Sequence, residues 1–315
     1  MTIKAIRIHA YGGSDVLRYE DVDDPVAGVG EVIVRIAAAG VNPVDWKVRE
    51  GYLATFVPYT LPLIPGFDFS GTVATIGEGV TAFAPGDEVF GAAPFEQAGA
   101  YAQAITVPAS ILARKPASLD IENAAAIPTG AITAWQGLFA PDYGNLQKGQ
   151  TVLIHGGAGG VGIFAVQLAK WRGARVITTA SANNAEFLLG LGADEVIDYG
   201  TQRFEDIVHD VDLVFDLIGG DVQARSWKVL RKGGLLASAV GEPSAEEAAA
   251  HGVRAVAIYG RGDGELLGKI AALVDEGTLK VIVSQVLPLE EAAQALDISQ
   301  AGHVRGKILL RPQAG

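Results

Sequence analysis

The sequence predicts a two-domain α/β protein, an irregular β domain followed by a doubly wound parallel sheet. Three observations predict it. Residues 1 to about 120 carry short β-type runs broken by Gly and Pro. From about 122 strand-like and helix-like segments alternate. Within that second part the buried-strand run Thr151–His155 leads into a glycine-rich loop and then a helical pattern.

In the first part the clearest strands are Glu31–Ala37 (EVIVRIA), Gly71–Ile76 (GTVATI) and Asp87–Phe90 (DEVF). Turn signals at Pro65–Gly66 and Pro85–Asp87 separate them. These runs are too short for long helices. In the second part Val161, Phe164, Ala165, Leu168 and Ala169 recur at helical spacing within Gly160–Arg172. Strands are expected at Ala174–Thr179, Glu195–Asp198, Asp212–Leu217, Gly234–Val240 and Arg254–Ile258. Helices are expected near Ala185–Leu191, Val222–Leu230 and Glu265–Glu276. Such alternation argues for a parallel sheet with helices on both faces. The tail from roughly 278 returns to strand, helix, strand: Leu279–Leu287, Leu289–Ile298, Gly306–Leu310. Periodicity leaves open whether it extends the second sheet or crosses back to the first domain.

Composition narrows the chemistry. At 315 residues, 49% hydrophobic and 19% charged, the chain has apolar material for two cores. A net charge of −12 with no basic run argues against a nucleic-acid partner. There is no cysteine, which excludes disulfides, iron–sulfur clusters, thiolate zinc sites and a cysteine nucleophile. The five histidines show no ligand spacing, so no metal is expected. The opening MTIKAIRIHAYGG reads as a strand rather than a signal peptide. No apolar stretch approaches the ~20 residues that cross a bilayer. The expectation is a cytoplasmic protein without a membrane partner.

Gly157, Gly159 and Gly162 of TVLIHGGAGGVG fit G-x-G-x-x-G, with a strand before and a helix after. One glycine permits the tight turn, one lets the backbone approach a pyrophosphate, and one lets the helix pack closely on the strand. Gly157, Ala158, Gly159, Gly160, Val161 and Gly162 are therefore the expected cofactor loop, at a helix N-terminus that favours anions. An NAD site usually carries an acid ~20 residues further on, at the end of the second strand. Here Val176–Asn184 reads VITTASANN, and the first acid, Glu186, already lies in the next helix. A 2′-phosphate is then not repelled, which favours NADPH. Ser181 either donates to that phosphate or caps the following helix. No Arg or Lys lies between Ile177 and Glu186, and Arg203 is a distant substitute for the positive grip.

Seven segments carry a wider resemblance: Ala38–Gly51 (AAGVNPVDWKVREG), Ile64–Val73 (IPGFDFSGTV), Pro85–Gly91, Ala125–Leu138 (AAIPTGAITAWQGL), His155–Gly162, Leu191–Tyr199 (LGADEVIDY) and Gly302–Leu310 (GHVRGKILL). On these the sequence resembles the zinc-less quinone oxidoreductase branch of the medium-chain dehydrogenase/reductase superfamily, and the alkenal and enone reductases beside it. The resemblance implies a GroES-like β domain from 1–121 and 278–315, and a Rossmann NADP-binding domain from 122–277. It implies hydride transfer from NADPH to a small-molecule quinone or α,β-unsaturated carbonyl, and it allows a homodimer. An enoyl-thioester reductase and a low-turnover NADPH-binding sensor are the alternative readings.

The zinc-dependent relatives place Cys where this chain has Ala39 and His where it has Phe67. Without a Lewis acid, a conjugated acceptor is the easier substrate, because hydrogen-bond donors can hold the charge that moves onto its oxygen. The resemblance places GVNPVDWK beside the nicotinamide. Asn42 would orient cofactor or acceptor. Lys47 would stabilise an enolate or supply a proton, with Asp45 setting its charge or capping a helix. Tyr52 and Tyr59 would line the pocket or simply pack. Thr133 would contact the cofactor near its nicotinamide, with Thr129 a weaker candidate. Tyr199 would lie near the adenosine, and Gly241 at a strand end facing the cofactor. Arg261 and Lys307 would close over it, and His155 would neighbour the glycine loop.

Overall fold

The computed structural model describes residues 2–313. In chain order the first part is β1 (Thr2–Ile8), β2 (Leu17–Asp23), β3 (Glu31–Val41), α1 (Pro43–Arg49), β4 (Asp68–Ile76), β5 (Glu88–Ala92), β6 (Ala104–Pro108) and β7 (Leu112–Arg114). The middle is α2 (Pro128–Phe139), β8 (Thr151–His155), α3 (Gly162–Trp171), β9 (Arg175–Ala180), α4 (Ala185–Gly190), β10 (Glu195–Asp198), β11 (Val211–Asp216), α5 (Gly220–Ser226), β12 (Leu230–Ser238), α6 (Ala245–His251) and β13 (Arg254–Ala257). The end is α7 (Gly264–Asp275), β14 (Val283–Pro288), α8 (Ala292–Ala301) and β15 (Lys307–Arg311).

These elements pack into two compact units. One runs through Ile132 and takes in Arg261–Gly277 and the chain from Val281 onward. The other is Thr133–Gly260 with Thr278–Lys280.

The first unit is built on a seven-stranded sheet in the order β14-β15-β3-β4-β5-β7, with β6 also paired to β3. β3 is its spine, pairing antiparallel with β4, β6 and β15. A strand paired so heavily is covered on both faces. Val32, Val34, Ala38 and Ala39 are fully buried, in place of a simple in-out alternation. β3 runs four residues past the expected Ala37 end, and β4 starts at Asp68 rather than Gly71. Ala, Gly and Asp have weak strand preference, so those extensions exist through pairing and not propensity. At Gly40 an added Cβ would lie 2.4 Å from the Ala125 carbonyl and 2.9 Å from Asp68 Cβ. Only glycine lets the 123–126 turn and β4 approach β3 so closely.

The tail's open question is answered by β15, which pairs antiparallel with β3, Leu309 opposite Gly40. α7, placed by the sequence with the parallel-sheet domain, packs with the first unit. The Asp275 carboxylate accepts the Ala117 N–H at 3.1 Å and the Ser118 N–H at 2.8 Å. Gly264 sits so close that a Cβ would lie 2.3 Å from the Leu112 carbonyl. A buried cation holds α1 in the same unit. Arg49 is 1% exposed and donates to Gly12 O, Ser14 Oγ, Glu50 Oε1 and Gln300 Oε1.

The second unit is a six-stranded parallel sheet in the order β10-β9-β8-β11-β12-β13. That is the doubly wound order, reversing direction between β8 and β11, where ligands bind at the strands' carboxyl ends. The expected helix Val222–Leu230 ends early, at Ser226, followed by a tight turn at Trp227–Val229. Trp227 and Val229 fill the core with Leu153, Ile177, Val214 and Leu236.

Gly40→Ala tests the close approach at the end of β3. The overlap is expected to cost ~1–3 kcal/mol, read by chemical denaturation. Unchanged stability would show that the turn at 123–126 yields freely.

Candidate active site

Three strand ends of the first unit bring a buried polar cluster together. The β3–β15 register sets Leu309 opposite Gly40 and Ile308 opposite Val41, which carries Lys307 to the level of Asn42. The β3–β4 register sets Asp68 opposite Gly40. Asn42 follows β3 in extended conformation and caps α1, with Pro43 at the first helical position. Its own N–H is satisfied by the Asp45 carboxylate at 2.7 Å, the return half of a capping box.

Asn42 Nδ2 donates to Asp68 Oδ2 at 2.9 Å, and its Oδ1 accepts from Lys307 Nζ. A lysine only donates and a carboxylate only accepts, so the two partners fix which way the amide points. Lys307 Nζ also reaches Asp68 Oδ2 at 3.1 Å. The other oxygen, Oδ1, accepts the Thr129 N–H at 2.9 Å and the Thr129 hydroxyl. Asp68 is 0% and Lys307 3% exposed, so this ion pair is shielded from solvent.

Tyr101 closes the cluster. Its hydroxyl donates to Asp45 Oδ2 at 2.7 Å. The ring fits only because Gly66 carries no side chain: with φ +90°, a Cβ there would lie 2.2 Å from the Tyr101 ring. Burial pushes the Asp45 carboxyl up to about 7, against the pull of Tyr101, the Asn42 N–H and Lys307, while the nearby Asp68 charge adds to the rise. Asp45 Oδ1 has no partner among the described residues, which suits an oxygen that holds the proton. Burial and the Asp45 charge together hold the Tyr101 phenol well above its usual range.

The expected catalytic residues divide. Asn42 and Asp45 belong to the cluster; Lys47 and Tyr52 do not. Lys47 is half-buried on α1 with Nζ 5.6 Å from the centre of the Trp46 ring. Tyr52 is 61% exposed and packs edge-on against Trp46. The Tyr59 hydroxyl donates to the Phe95 carbonyl at 2.6 Å. Lys307, expected to close over the cofactor, is a core member of the cluster. Asp68 and Tyr101 were not singled out from sequence. The signal the sequence carries is an acid inside an otherwise apolar strand, FDFSG. Ala39 is fully buried, and Phe67 stacks on Phe95 at 4.9 Å. Among the described residues no group of three or more His, Asp or Glu is arranged to hold a metal.

In the second unit the glycines separate by role. Gly156 takes φ +74° in the turn after β8. A Cβ at Gly157 would lie 2.1 Å from Thr178 Oγ1, and one at Gly162 would lie 2.2 Å from the Gly156 carbonyl. Those two glycines are demanded by internal packing. Gly159 is not: its Cβ would meet nothing closer than 3.4 Å. Glycine there leaves an open cradle before α3, fitted to the close backbone approach of a pyrophosphate.

At the carboxyl ends of β9 and β10, Ser181 and Tyr199 are neighbours, since the Tyr199 N–H donates to the Ala180 carbonyl at 3.2 Å. The Ser181 hydroxyl makes no helix-capping bond; it accepts from Asn184 Nδ2 at 3.0 Å. Tyr199 is 54% exposed. Arg203 is tied to Glu205 at 2.7 Å and so is already paired. Asp198 is spent on its own turn, accepting from Gly200 and Thr201. Thr133 is buried, and Gly260 makes room for its hydroxyl, 2.6 Å from where a Cβ would sit. Gly241 is exposed, with open space around it.

His155 anchors the loop from beneath. Ser226 Oγ donates to the Val222 carbonyl, so His155 Nε2–H donates to Ser226 at 2.9 Å. Nδ1 then accepts from Thr179 Oγ1 at 3.1 Å. Burial pushes this imidazole down to about 4, and Arg225 pushes the same way against the carboxylates of Asp216 and Glu205.

These shifts give opposite pH signatures. Asp45 is raised in the fold, so its stabilising contribution is full below about 4 and is lost as pH rises through about 7. His155 is lowered, so its contribution is full above about 6.5 and is lost as pH falls toward 4. Asp45→Asn is expected to gain melting temperature relative to the parent between pH ~5 and ~8. His155→Gln is expected to lose less than the parent below pH ~6. Parallel melting profiles for parent and variants would contradict both assignments.

Comparison with known proteins agrees with the two-part fold. Residues 28–117 match the alcohol dehydrogenase GroES-like domain, and residues 191–310 match the family described as zinc-binding dehydrogenase. The chain is 34% identical to a 2-methylene-furan-3-one reductase of Solanum lycopersicum, over 98% of this chain and 79% of that one. It is 33% identical to an NADPH-dependent alkenal/one oxidoreductase of Arabidopsis thaliana, a chloroplastic protein, over 96% and 78%. Among solved structures, the quinone oxidoreductase from Coxiella burnetii superposes with a TM-score of 0.93 at 35% identity, over 99% of this chain and 100% of that one. The Escherichia coli quinone oxidoreductase complexed with NADPH gives 0.89 at 29%, over 98% and 100%. No helix among the described residues is long and apolar enough to cross a membrane. The chain belongs to the quinone oxidoreductase branch of the medium-chain dehydrogenase/reductase superfamily.

Proposed function

We propose that this protein reduces α,β-unsaturated carbonyls and quinones with NADPH, with no metal in the reaction. The observation that carries the reading is the buried Asn42–Lys307–Asp68 cluster, beside the Ala39 and Phe67 positions that zinc-dependent relatives give to ligands. A hydrogen-bonding cation and amide stand near where a Lewis acid would otherwise stand. Relatives named as an alkenal/one oxidoreductase and as quinone oxidoreductases support the acceptor class.

The loop around Gly159, with Ser181 and Tyr199, would hold NADPH, which when bound supplies the hydride. In enone reduction a C–H bond forms at the β-carbon. The π pair of the C=C bond shifts toward the carbonyl oxygen, and a proton from solvent then completes the α-carbon. One proton is consumed per NADPH oxidised. Lys307 and Asn42 would hold the charge that develops on the oxygen. Lys307 suits this better than Lys47 because it is buried, oriented by two partners and shielded from competing water. Asp45, neutral below about 7, would leave Lys307 with Asp68 as its one full counter-charge.

Oxidation of NADPH in the presence of a benzoquinone, a naphthoquinone and a 2-alkenal tests the reading. Consumption with at least one is expected, and binding without consumption of any would favour a sensor. Lys307→Met is expected to lower kcat by ~10²–10³, and by more than Lys47→Met does. The reverse order would return the role to Lys47. NADPH is expected to bind ~10-fold more tightly than NADH, a ~1.4 kcal/mol difference that Ser181→Asp should reverse. Equal dissociation constants in the parent would refute the cofactor assignment.

A further inference from the structure

Asp68 has the features of a group built to hold others. Its two carboxylate oxygens receive Thr129 N–H, Thr129 O–H, Asn42 Nδ2 and Lys307 Nζ. Four donors fill the acceptor capacity of a carboxylate. Asp68 is fully buried, so no water competes for those sites. With every lone pair engaged it is poorly placed to take a substrate proton. Its donors come from the start of α2, the junction of β3 with α1, and the start of β15. The carboxylate therefore fixes three separately folded pieces against one another.

The consequence falls on Lys307. An ammonium has three N–H donors. One goes to Asn42 Oδ1 and one to Asp68 Oδ2, and the third has no acceptor among the described residues. The titratable groups facing Lys307 are Asp68 on β4, Asp45 at the start of α1, and beyond it the Tyr101 hydroxyl on Asp45. Asp68 is the one that touches the ammonium.

We propose that Asp68 is the positioning residue of this site: it orients the Asn42 amide and Lys307 so that the remaining Lys307 N–H meets the acceptor oxygen. This rests on the reductase reading above, and it adds a residue that acts only through its neighbours. Asparagine cannot replace it. An amide presents its own NH₂ to a set of partners that are all donors, and it removes the counter-charge of a buried cation.

The test has an arm without cofactor and an arm with it. In the ligand-free protein, melting temperatures are compared for Asp68→Asn, Lys307→Met and the double variant. Each single change is expected to lower melting by ~5–10 °C, and the double variant to lie no lower than the worse single. In the second arm, Asp68→Asn is assayed with NADPH and an enone. It is expected to lose ~10²-fold in kcat while the NADPH dissociation constant stays within ~3-fold.

Additive melting losses, or a kcat for Asp68→Asn within ~3-fold of the parent, would overturn the proposal. If Asp68→Asn does not fold, Thr129→Val decides. Removing one donor is expected to lower kcat several-fold at constant NADPH affinity, and an unchanged kcat would overturn the proposal. Coupled melting in a parent that reduces no acceptor would overturn the reductase reading while leaving the buried pair intact. Additive melting in a parent that turns over would overturn the positioning role alone.

Discussion

The buried Asp68–Lys307 pair is the constraint on which the first unit depends. A carboxylate and an ammonium removed from water are costly unless their remaining donors and acceptors are satisfied. Here Asn42 and Thr129, which come from different elements, fill the carboxylate, and Asn42 takes a second donor of the ammonium. The pair therefore requires β3, β4, β15 and the start of α2 to be in register at once. Gly40 and Gly66 are the backbone conditions for it, one admitting the 123–126 turn beside β3, the other admitting the Tyr101 ring.

In the proposed reading the second unit meets a different demand, an opening for an anion. Its glycine loop is tight wherever the chain touches itself and loose at Gly159. His155 contributes from below. By remaining neutral it accepts from Thr179, whose oxygen also receives the Gly156 N–H, so the loop is tied to β9 through an uncharged ring. The edge near Ser181 and Tyr199 offers hydroxyls rather than a free cation, since Arg203 is committed to Glu205. In the proposed NADPH site, discrimination for a 2′-phosphate would rest more on the lack of a repelling acid after β9 than on an added positive charge.

Much of this was legible in the sequence, and the failures have physical reasons. The parallel-sheet strands were readable because buried runs such as Thr151–His155 are continuous and β-branched. The loop was readable because its glycines sit between a strand and a helix. Asn42 and Asp45 were readable from the short segment that holds them. The extensions of β3 and β4 were hidden because Ala38–Gly40 and Asp68 have little strand preference, and only pairing makes them strands. Asp68 and Tyr101 carry no such local signal, because their roles depend on partners 26 to 239 positions away along the chain. Lys47 and Lys307 show the same limit. Composition gives both a cation, but only the β3–β15 register buries one of them.

The central claim is direct hydride transfer from a bound nicotinamide to a conjugated acceptor. The most direct measurement is isotopic: turnover of an enone with NADPH deuterated at the transferred position, in ordinary water, followed by mass spectrometry and NMR of the product. The account predicts one deuterium at the β-carbon, and with unlabelled NADPH in heavy water one deuterium at the α-carbon instead. Label lost to solvent, or found only at the carbonyl carbon of an alcohol product, would contradict it.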